Sequence, residues 1–147
     1  MNNEQRISRN KERLSGLVPK LRGAILYSFH SLEAAGYFPY IIQGYRTQEQ
    51  QNAYWAQGRE DLQTVNNLRR IAGLDPINDA ENAKHVTWVT HSKHMDGLAV
   101  DIANVKDGDV DWDNMVFYRA AATEFAKYGL VWGGSWKDKQ DNPHFEV

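Results

Sequence analysis

The sequence contains no cysteine, which excludes disulfide frameworks, zinc sites built from thiolates and thiol nucleophiles. A transition-metal site in this protein must therefore use histidine and carboxylate side chains. The 17 basic and 19 acidic residues leave a net charge of only −2, which gives no argument for a nucleic-acid partner. No apolar run approaches the length of a membrane-spanning helix, so we predict no membrane span.

The N-terminus has few apolar residues as well. It begins Met-Asn-Asn-Glu-Gln-Arg, without the apolar segment of a secretory signal, so we expect synthesis in a cytosol. Residues 1–22 hold six basic side chains against two acidic ones. Such a basic segment could help the protein approach an anionic envelope, but the solvated face of a helix is the favoured interpretation.

No repeat, low-complexity tract or flexible linker divides the sequence, and its length suits one compact domain over residues 1–147. Apolar spacing and capping residues predict four helices, from Pro19 to about Gly36 and over residues 47–58, 61–73 and 115–128. Strands are predicted at residues 40–43, 98–102, 130–132 and 145, with a further short one at 86–89. This order predicts an α+β fold, a small antiparallel sheet with helices packed on one side.

Two stretches carry the side chains of a metal site. Residues 92–101 read Ser-Lys-His-Met-Asp-Gly-Leu-Ala-Val-Asp, and residues 141–147 read Asp-Asn-Pro-His-Phe-Glu-Val. Strand alternation turns Val100 to the core and Asp101 to a cleft on the other face of the sheet, where a cation would compensate the cost of burying its carboxylate. Two imidazoles and one carboxylate, with a fourth position left for water, are the ligands of a catalytic zinc site.

These stretches resemble the zinc-dependent D-alanyl-D-alanine carboxypeptidase superfamily, and within it the L-alanyl-D-glutamate endopeptidases that bacteriophages use as endolysins. Other parts of the chain are similar to the family too: Arg13-Leu14 with Leu17 and Pro19, Gly44-Tyr45-Arg46-Thr47 with Gln50, and Trp132-Gly133-Gly134 with Trp136. The sequence departs from the family at Gln43, where members often have serine, and at Ser135, where they often have aspartate.

The resemblance implies that Zn²⁺ is bound by His94, Asp101 and His144. It implies that Asp141 is the catalytic carboxylate and that Arg46 steadies the substrate or its developing oxyanion. Both roles are chemically reasonable, because a carboxylate can shuttle a proton from water to a leaving amine and a guanidinium can stabilise an oxyanion. The alternative for Arg46 is a surface salt bridge beside a helix start.

Other residues near these motifs have two interpretations each. Glu146 orients a ligand imidazole or is a terminal surface residue. Ser92 contacts substrate or braces its loop, and Tyr45 and Trp136 line the cleft or belong to the core. His91 is a rival metal ligand.

The alternating aspartates between residues 107 and 113 could indicate a calcium site. The segment lacks the central glycine and the bidentate glutamate of an EF-hand loop. A solvated turn that caps the next helix is therefore the favoured interpretation.

Together these residues predict a zinc metallopeptidase that cuts the peptidoglycan stem peptide at the L-Ala-D-Glu bond, as a phage or prophage endolysin. A D,D-carboxypeptidase that removes terminal D-alanine shares the zinc site and is the alternative among enzymes. A non-catalytic cell-wall-binding zinc module is the alternative from another class, with His91 as a fourth ligand. We expect a monomer without a separate cell-wall-binding domain, made in the host bacterial cytoplasm and acting on the cell wall in the periplasm after release by other lysis factors.

Overall fold

The computed structural model describes every residue from Met1 to Val147. In chain order its elements are α1 (Asn3–Arg13), α2 (Pro19–Ala34), β1 (Pro39–Gln43), α3 (Gln48–Ala56), α4 (Leu62–Ile71), α5 (Asp79–Asn82), β2 (Ala99–Lys106), β3 (Asp109–Asp111), α6 (Met115–Ala126), β4 (Val131–Trp132) and β5 (His144–Glu146). Backbone contacts divide the chain into two compact units, the first formed by Met1–Tyr45 with Asp96–Val147 and the second by Arg46–Met95. No helix combines the length and the hydropathy that crossing a bilayer requires.

The first unit is an antiparallel sheet covered by helices. Its strand order is β1-β2-β5-β4, and β3 pairs with β2 outside that path. The core joins Leu21, Ile25, Phe29, Phe117, Ala121 and Phe125 from α2 and α6 to Val100, Ile102 and Phe145 from β2 and β5. Because these strand residues share one face, both helices lie on the same side of the sheet. The predicted α+β fold is confirmed.

Helix α1 lies in the basic segment that we interpreted as a helix face, although its bounds were not predicted. The side chain of Asn2 accepts a hydrogen bond from the backbone of Gln5, and the side chain of Gln5 accepts one in return. We interpreted the basic residues of segment 1–22 as the solvated face of a helix. For two of them this interpretation is wrong. Arg6 is buried and donates to the carbonyl of Pro39, and Arg13 donates to the carbonyl of Ile41, so both fasten α1 to β1.

The acidic segment forms a hairpin where we predicted only a solvated turn. Asp107 and Gly108 both have positive φ, at 52° and 82°, and join β2 to β3. Asp-Gly at the tip of a two-residue hairpin is a strong sequence signal for this turn. Asp109, Val110 and Asp111 form β3, so the alternating aspartates belong to a strand. Asn114 lies beyond the hairpin and caps α6. The hairpin also makes β2 longer than the predicted strand at 98–102.

The second unit consists of α3, α4 and α5 followed by an irregular segment. Thr47 and Gln50 form the predicted capping box of α3, and Asp61 caps α4. Ala53, Ala56 and Val65 are buried in this unit. The strand predicted at residues 86–89 does not form, because side chains rather than a neighbouring strand satisfy its carbonyl groups.

Gly97 adopts a conformation that only glycine tolerates well. Its φ is 70°, and a Cβ there would collide with the carbonyl oxygen of Gly16. Its own carbonyl accepts a hydrogen bond from the amide of Val18 at 3.0 Å. The backbone immediately before β2 is thus packed against the connection between α1 and α2.

Replacing Gly97 with alanine is expected to lower the free energy of unfolding by more than about 2 kcal/mol, because the left-handed conformation alone costs about 1–2 kcal/mol. Gly36→Ala is the matched control, since Gly36 has φ 94° but open space around its Cβ position. Urea denaturation measures both values. Equal losses in the two variants would show that the contact with Gly16 contributes nothing.

Candidate metal centre

The register of the sheet brings Asp101 and His144 together. Asp101 on β2 is the pairing partner of His144 on β5, and directly opposed residues point to the same face. Oδ1 of Asp101 lies 3.1 Å from Nδ1 of His144. The core residues Val100 and Phe145, one position along each strand, point the other way.

His94 is fixed in a short 3-10 helix spanning Lys93–Asp96. Its backbone amide donates to the hydroxyl of Ser92 at 3.2 Å, so Ser92 braces this turn. Its carbonyl accepts a hydrogen bond from the amide of Arg46 at 3.1 Å. The side chain itself is buried, with only 2% of the residue exposed.

The donor atoms of His94, Asp101 and His144 converge. Each residue offers one ligand atom, and these atoms lie within 4.8 Å of one another. Two imidazole nitrogens and a carboxylate oxygen are donors that zinc prefers, and three protein ligands are the number found in catalytic zinc sites. The donor set therefore fits a zinc ion. His91 is exposed and lies outside the cluster.

His144 contacts a second carboxylate on its other side. Its Nε2 lies 2.9 Å from Oε1 of Glu146. The centroids of the His144 and Trp136 rings are 5.1 Å apart. Burial by itself lowers the pKa of His144. The hydrogen bond and charge of Asp101, the hydrogen bond of Glu146 and the charge of Asp141 outweigh that effect and raise the pKa above 6.5. A metal ion at this imidazole must therefore displace a proton that is held more firmly than usual.

Asp141 lies one turn before His144. Its carbonyl accepts a hydrogen bond from the amide of His144 at 3.2 Å, and its amide donates to the carbonyl of Gly133 at 3.1 Å. A Cβ on Gly133 would lie 2.5 Å from the carbonyl oxygen of Asp141, so the glycine permits this close approach. Asp141 is half-buried, and its negative charge reaches His144.

Helix α3 holds the side chain of Arg46. Nη1 donates to Oε1 of Gln51 at 2.7 Å, and the guanidinium carbon lies 4.9 Å from the ring centroid of Tyr54. The charge is therefore held in one orientation by two residues of the same helix. The neighbouring Tyr45 is half-exposed and packs on Gly16.

Gln51 and Tyr118 are among the buried polar residues that the sequence analysis did not single out. Gln51 is fully buried and hydrogen-bonds at both ends of its amide. Tyr118 on α6 is fully buried too, and burial together with the charges of Asp113 and Asp111 raises its pKa to about 12. Gln51 could have been suspected, since it lies five residues after Arg46 and directly follows Gln50. Tyr118 has no comparable signal, because in the sequence it looks the same as any aromatic residue that belongs to the hydrophobic core.

A family described as D-alanyl-D-alanine carboxypeptidase matches residues 85–147, which include the clustered side chains of His94, Asp101 and His144 and also Asp141. The resemblance to this family is confirmed. Among characterised proteins, the peptidoglycan L-alanyl-D-glutamate endopeptidase CwlK of Bacillus subtilis (strain 168) is 29% identical over 116 residues. That match covers 73% of this chain and 59% of CwlK, so the chain spans less than two thirds of the length of this relative.

Several solved structures share the fold. The L-Ala D-Glu endopeptidase ChiX of Serratia marcescens superposes with a TM-score of 0.57 at 22% identity, over 95% of this chain and 86% of ChiX. The vancomycin-resistance D,D-pentapeptidase VanY, crystallised as a variant in complex with Zn(II), superposes with a TM-score of 0.58 at 20% identity, over 89% of this chain and 72% of VanY. At these identities the likeness establishes the fold alone.

Proposed function

We propose that this protein is a zinc-dependent peptidase that cuts the stem peptide of peptidoglycan between L-alanine and D-glutamate. The observation that carries the proposal is the convergence of His94, Asp101 and His144, with Asp141 beside the last of them. The choice of bond is supported by two proteins to which the chain is similar, CwlK and ChiX, whose names specify that bond.

His94, Asp101 and His144 would hold the zinc ion. When bound, zinc supplies a Lewis acid that lowers the pKa of water towards ~7 and polarises a carbonyl group. The protein's part is to keep the three donors in place: β-sheet register fixes Asp101 and His144, and the turn braced by Ser92 fixes His94. Glu146 would accept a hydrogen bond from His144, which orients the imidazole and increases its basicity.

Replacing Glu146 with alanine is expected to weaken zinc binding about 10- to 100-fold, because the ligand imidazole loses the carboxylate that orients it. Competition with a fluorescent zinc chelator measures the affinity. Glu146→Gln keeps an acceptor oxygen and should lie between the alanine variant and the parent. An unchanged affinity in the alanine variant would assign Glu146 to the surface and not to the metal site.

Asp141 would move the proton during hydrolysis. A carboxylate close to the reacting centre can take a proton from the attacking water and later deliver it to the nitrogen of the leaving amine. Its backbone is hydrogen-bonded on both sides, to Gly133 and His144, so the carboxylate starts from a fixed position. Half-burial keeps it within reach of substrate.

Arg46 would stabilise the oxyanion that forms at the scissile carbonyl. A guanidinium remains charged at all working pH values and donates several hydrogen bonds in a fixed plane. Contacts with Gln51 and Tyr54 hold this group before substrate arrives, and preorganised charge is the form of stabilisation that lowers a reaction barrier most.

Digestion of a defined disaccharide-tetrapeptide, followed by mass spectrometry, tests the function. We expect one cut that leaves L-alanine on the sugar and a new amino terminus on D-glutamate. Release of D-alanine from a pentapeptide would instead support a D,D-carboxypeptidase, the activity in the description of the matching family. Absence of any peptide cleavage with zinc bound would contradict the enzyme and support a wall-binding module.

We also propose the biological role predicted from the sequence motifs, lysis of a host cell by a phage or prophage. Expression in Gram-negative cells should cause lysis only when a pore-forming protein opens the inner membrane. Purified protein should clear permeabilised cells, and a chelator should prevent clearing. Lysis by the protein alone would contradict the need for a partner that releases it.

A further inference from the structure

Residues 85–89 present an exposed apolar surface in the second unit. Trp88 is 54% exposed, and Val86 and Val89 are 51% and 47% exposed. Exposing a large aromatic side chain costs free energy, and clustered exposed apolar groups commonly mark a binding surface. These residues come shortly before Ser92 and His94 in the chain.

Buried or half-buried side chains anchor the backbone on both sides of Trp88. The carbonyl of Val89 accepts a hydrogen bond from Nε2 of Gln51 at 2.6 Å. The carbonyl of Thr87 accepts one from Nη2 of Arg59 at 3.1 Å. Thr87 is itself buried, so the exposed indole is attached to a fixed backbone.

Stacked neighbours orient the indole itself. The ring of His85 stacks on Trp88 with centroids 5.0 Å apart and planes inclined by 30°. The guanidinium carbon of Arg59 lies 5.9 Å from the Trp88 ring and 3.6 Å from that of Trp55. Aromatic and cationic groups therefore alternate along this surface, and the half-exposed indole lies beside two side chains that can form hydrogen bonds.

The surface is connected to the proposed oxyanion residue. One amide, that of Gln51, binds the carbonyl of Val89 with its nitrogen and Arg46 with its oxygen. The backbone of Arg46 in turn hydrogen-bonds to His94. A ligand on Trp88 would accordingly lie close to the group that stabilises the reaction.

We propose that Trp88 binds a sugar ring of the glycan strand, so that the substrate is a stem peptide still joined to its sugar. A pyranose has a face of C–H groups that fits an indole and a rim of polar groups that fits His85 and Arg59. In peptidoglycan a single L-alanine separates the L-alanyl-D-glutamate bond from the lactyl group of the sugar. One residue spans at most about 3.6 Å, so the sugar must lie near the site. This inference rests on the proposed function.

The test compares two substrates, a disaccharide-tetrapeptide and the same tetrapeptide without sugar. The measured quantity is kcat/KM for the disaccharide-tetrapeptide divided by kcat/KM for the tetrapeptide. Trp88→Ala is expected to lower this ratio about tenfold, mainly by raising KM for the sugar-bearing substrate, since one aromatic contact contributes about that factor. Trp88→Phe should restore most of the ratio. Trp112→Ala is the matched control, because Trp112 is 52% exposed and lies outside this surface. An unchanged ratio in Trp88→Ala would overturn the inference.

A binding measurement separates this inference from the proposed function. Titration with the free disaccharide should shift the indole N–H resonance of Trp88, assigned by its loss in Trp88→Phe. If the parent cleaves neither substrate but that resonance shifts, the peptidase proposal fails and the sugar site stands. If the parent cleaves the peptide and the resonance does not shift, the sugar site fails alone.

Discussion

Replacing Asp141 with asparagine is expected to lower the rate of stem-peptide hydrolysis by about 10³-fold while zinc content stays unchanged. Asparagine keeps the shape of the side chain but cannot accept and return a proton, and loss of a positioned acid–base group typically costs 10²- to 10⁴-fold. Asp141 is not one of the three clustered residues that we propose as zinc ligands, so the metal site should persist. Zinc analysis and steady-state kinetics on the disaccharide-tetrapeptide measure the two quantities.

Asp138→Asn is the control for this variant, because Asp138 is an exposed carboxylate only three residues away. It should retain the parental rate. A parental rate of hydrolysis in Asp141→Asn would show that Asp141 does not transfer the proton. Loss of zinc together with activity would make it a ligand, which contradicts the role argued here.

Replacing His94 with alanine is expected to abolish both stoichiometric zinc binding and hydrolysis. Losing a partner of a ligand already costs about 10- to 100-fold in metal affinity or activity, so losing the ligand itself should cost more. Zinc content after dialysis and the hydrolysis rate at saturating substrate measure the effect. The unfolding midpoint of the metal-free variant shows separately whether removing this buried imidazole destabilises the fold.

His91→Ala is the matched control for His94, since it removes an exposed histidine three residues earlier. It should keep one zinc ion per chain and its activity. Loss of zinc from His91→Ala would place four protein ligands on the ion. That coordination is typical of structural sites and would support the non-catalytic module.

The α+β class and most element boundaries could be predicted from local signals. Pro19 at the start of α2, the capping box at Thr47 and Gln50, and alternation around Val100 each act within a few residues. The structure differs from the prediction where contacts between residues distant in the sequence determine the local conformation. Residues 86–89 have strand-like side chains, but the carbonyls of Thr87 and Val89 bond to Arg59 and Gln51, so no ladder forms. Helix α1 is held by its arginines, whose acceptors lie on β1, far along the chain.

The convergence of His94, Asp101 and His144 could be predicted because these residues lie in two short, specific motifs. Sequence spacing could not show how Asp101 and His144 meet, since they are 43 positions apart. The register of β2 and β5 explains it, because the two residues are a strand pair. The contacts of Arg46 with Gln51 and Tyr54 could not be predicted, because periodicity gives no side-chain orientation. The stacking of Arg59 on Trp55 and Trp88 could not be predicted for the same reason.

Anomalous diffraction at the zinc absorption edge, on crystals of the zinc-loaded protein, tests the central claim most directly. We predict one strong peak at about 2.0–2.2 Å from a nitrogen of His94, a nitrogen of His144 and an oxygen of Asp101, with a solvent molecule completing the coordination. A peak elsewhere, or a zinc ion enclosed by four protein ligands at this place, would contradict the account.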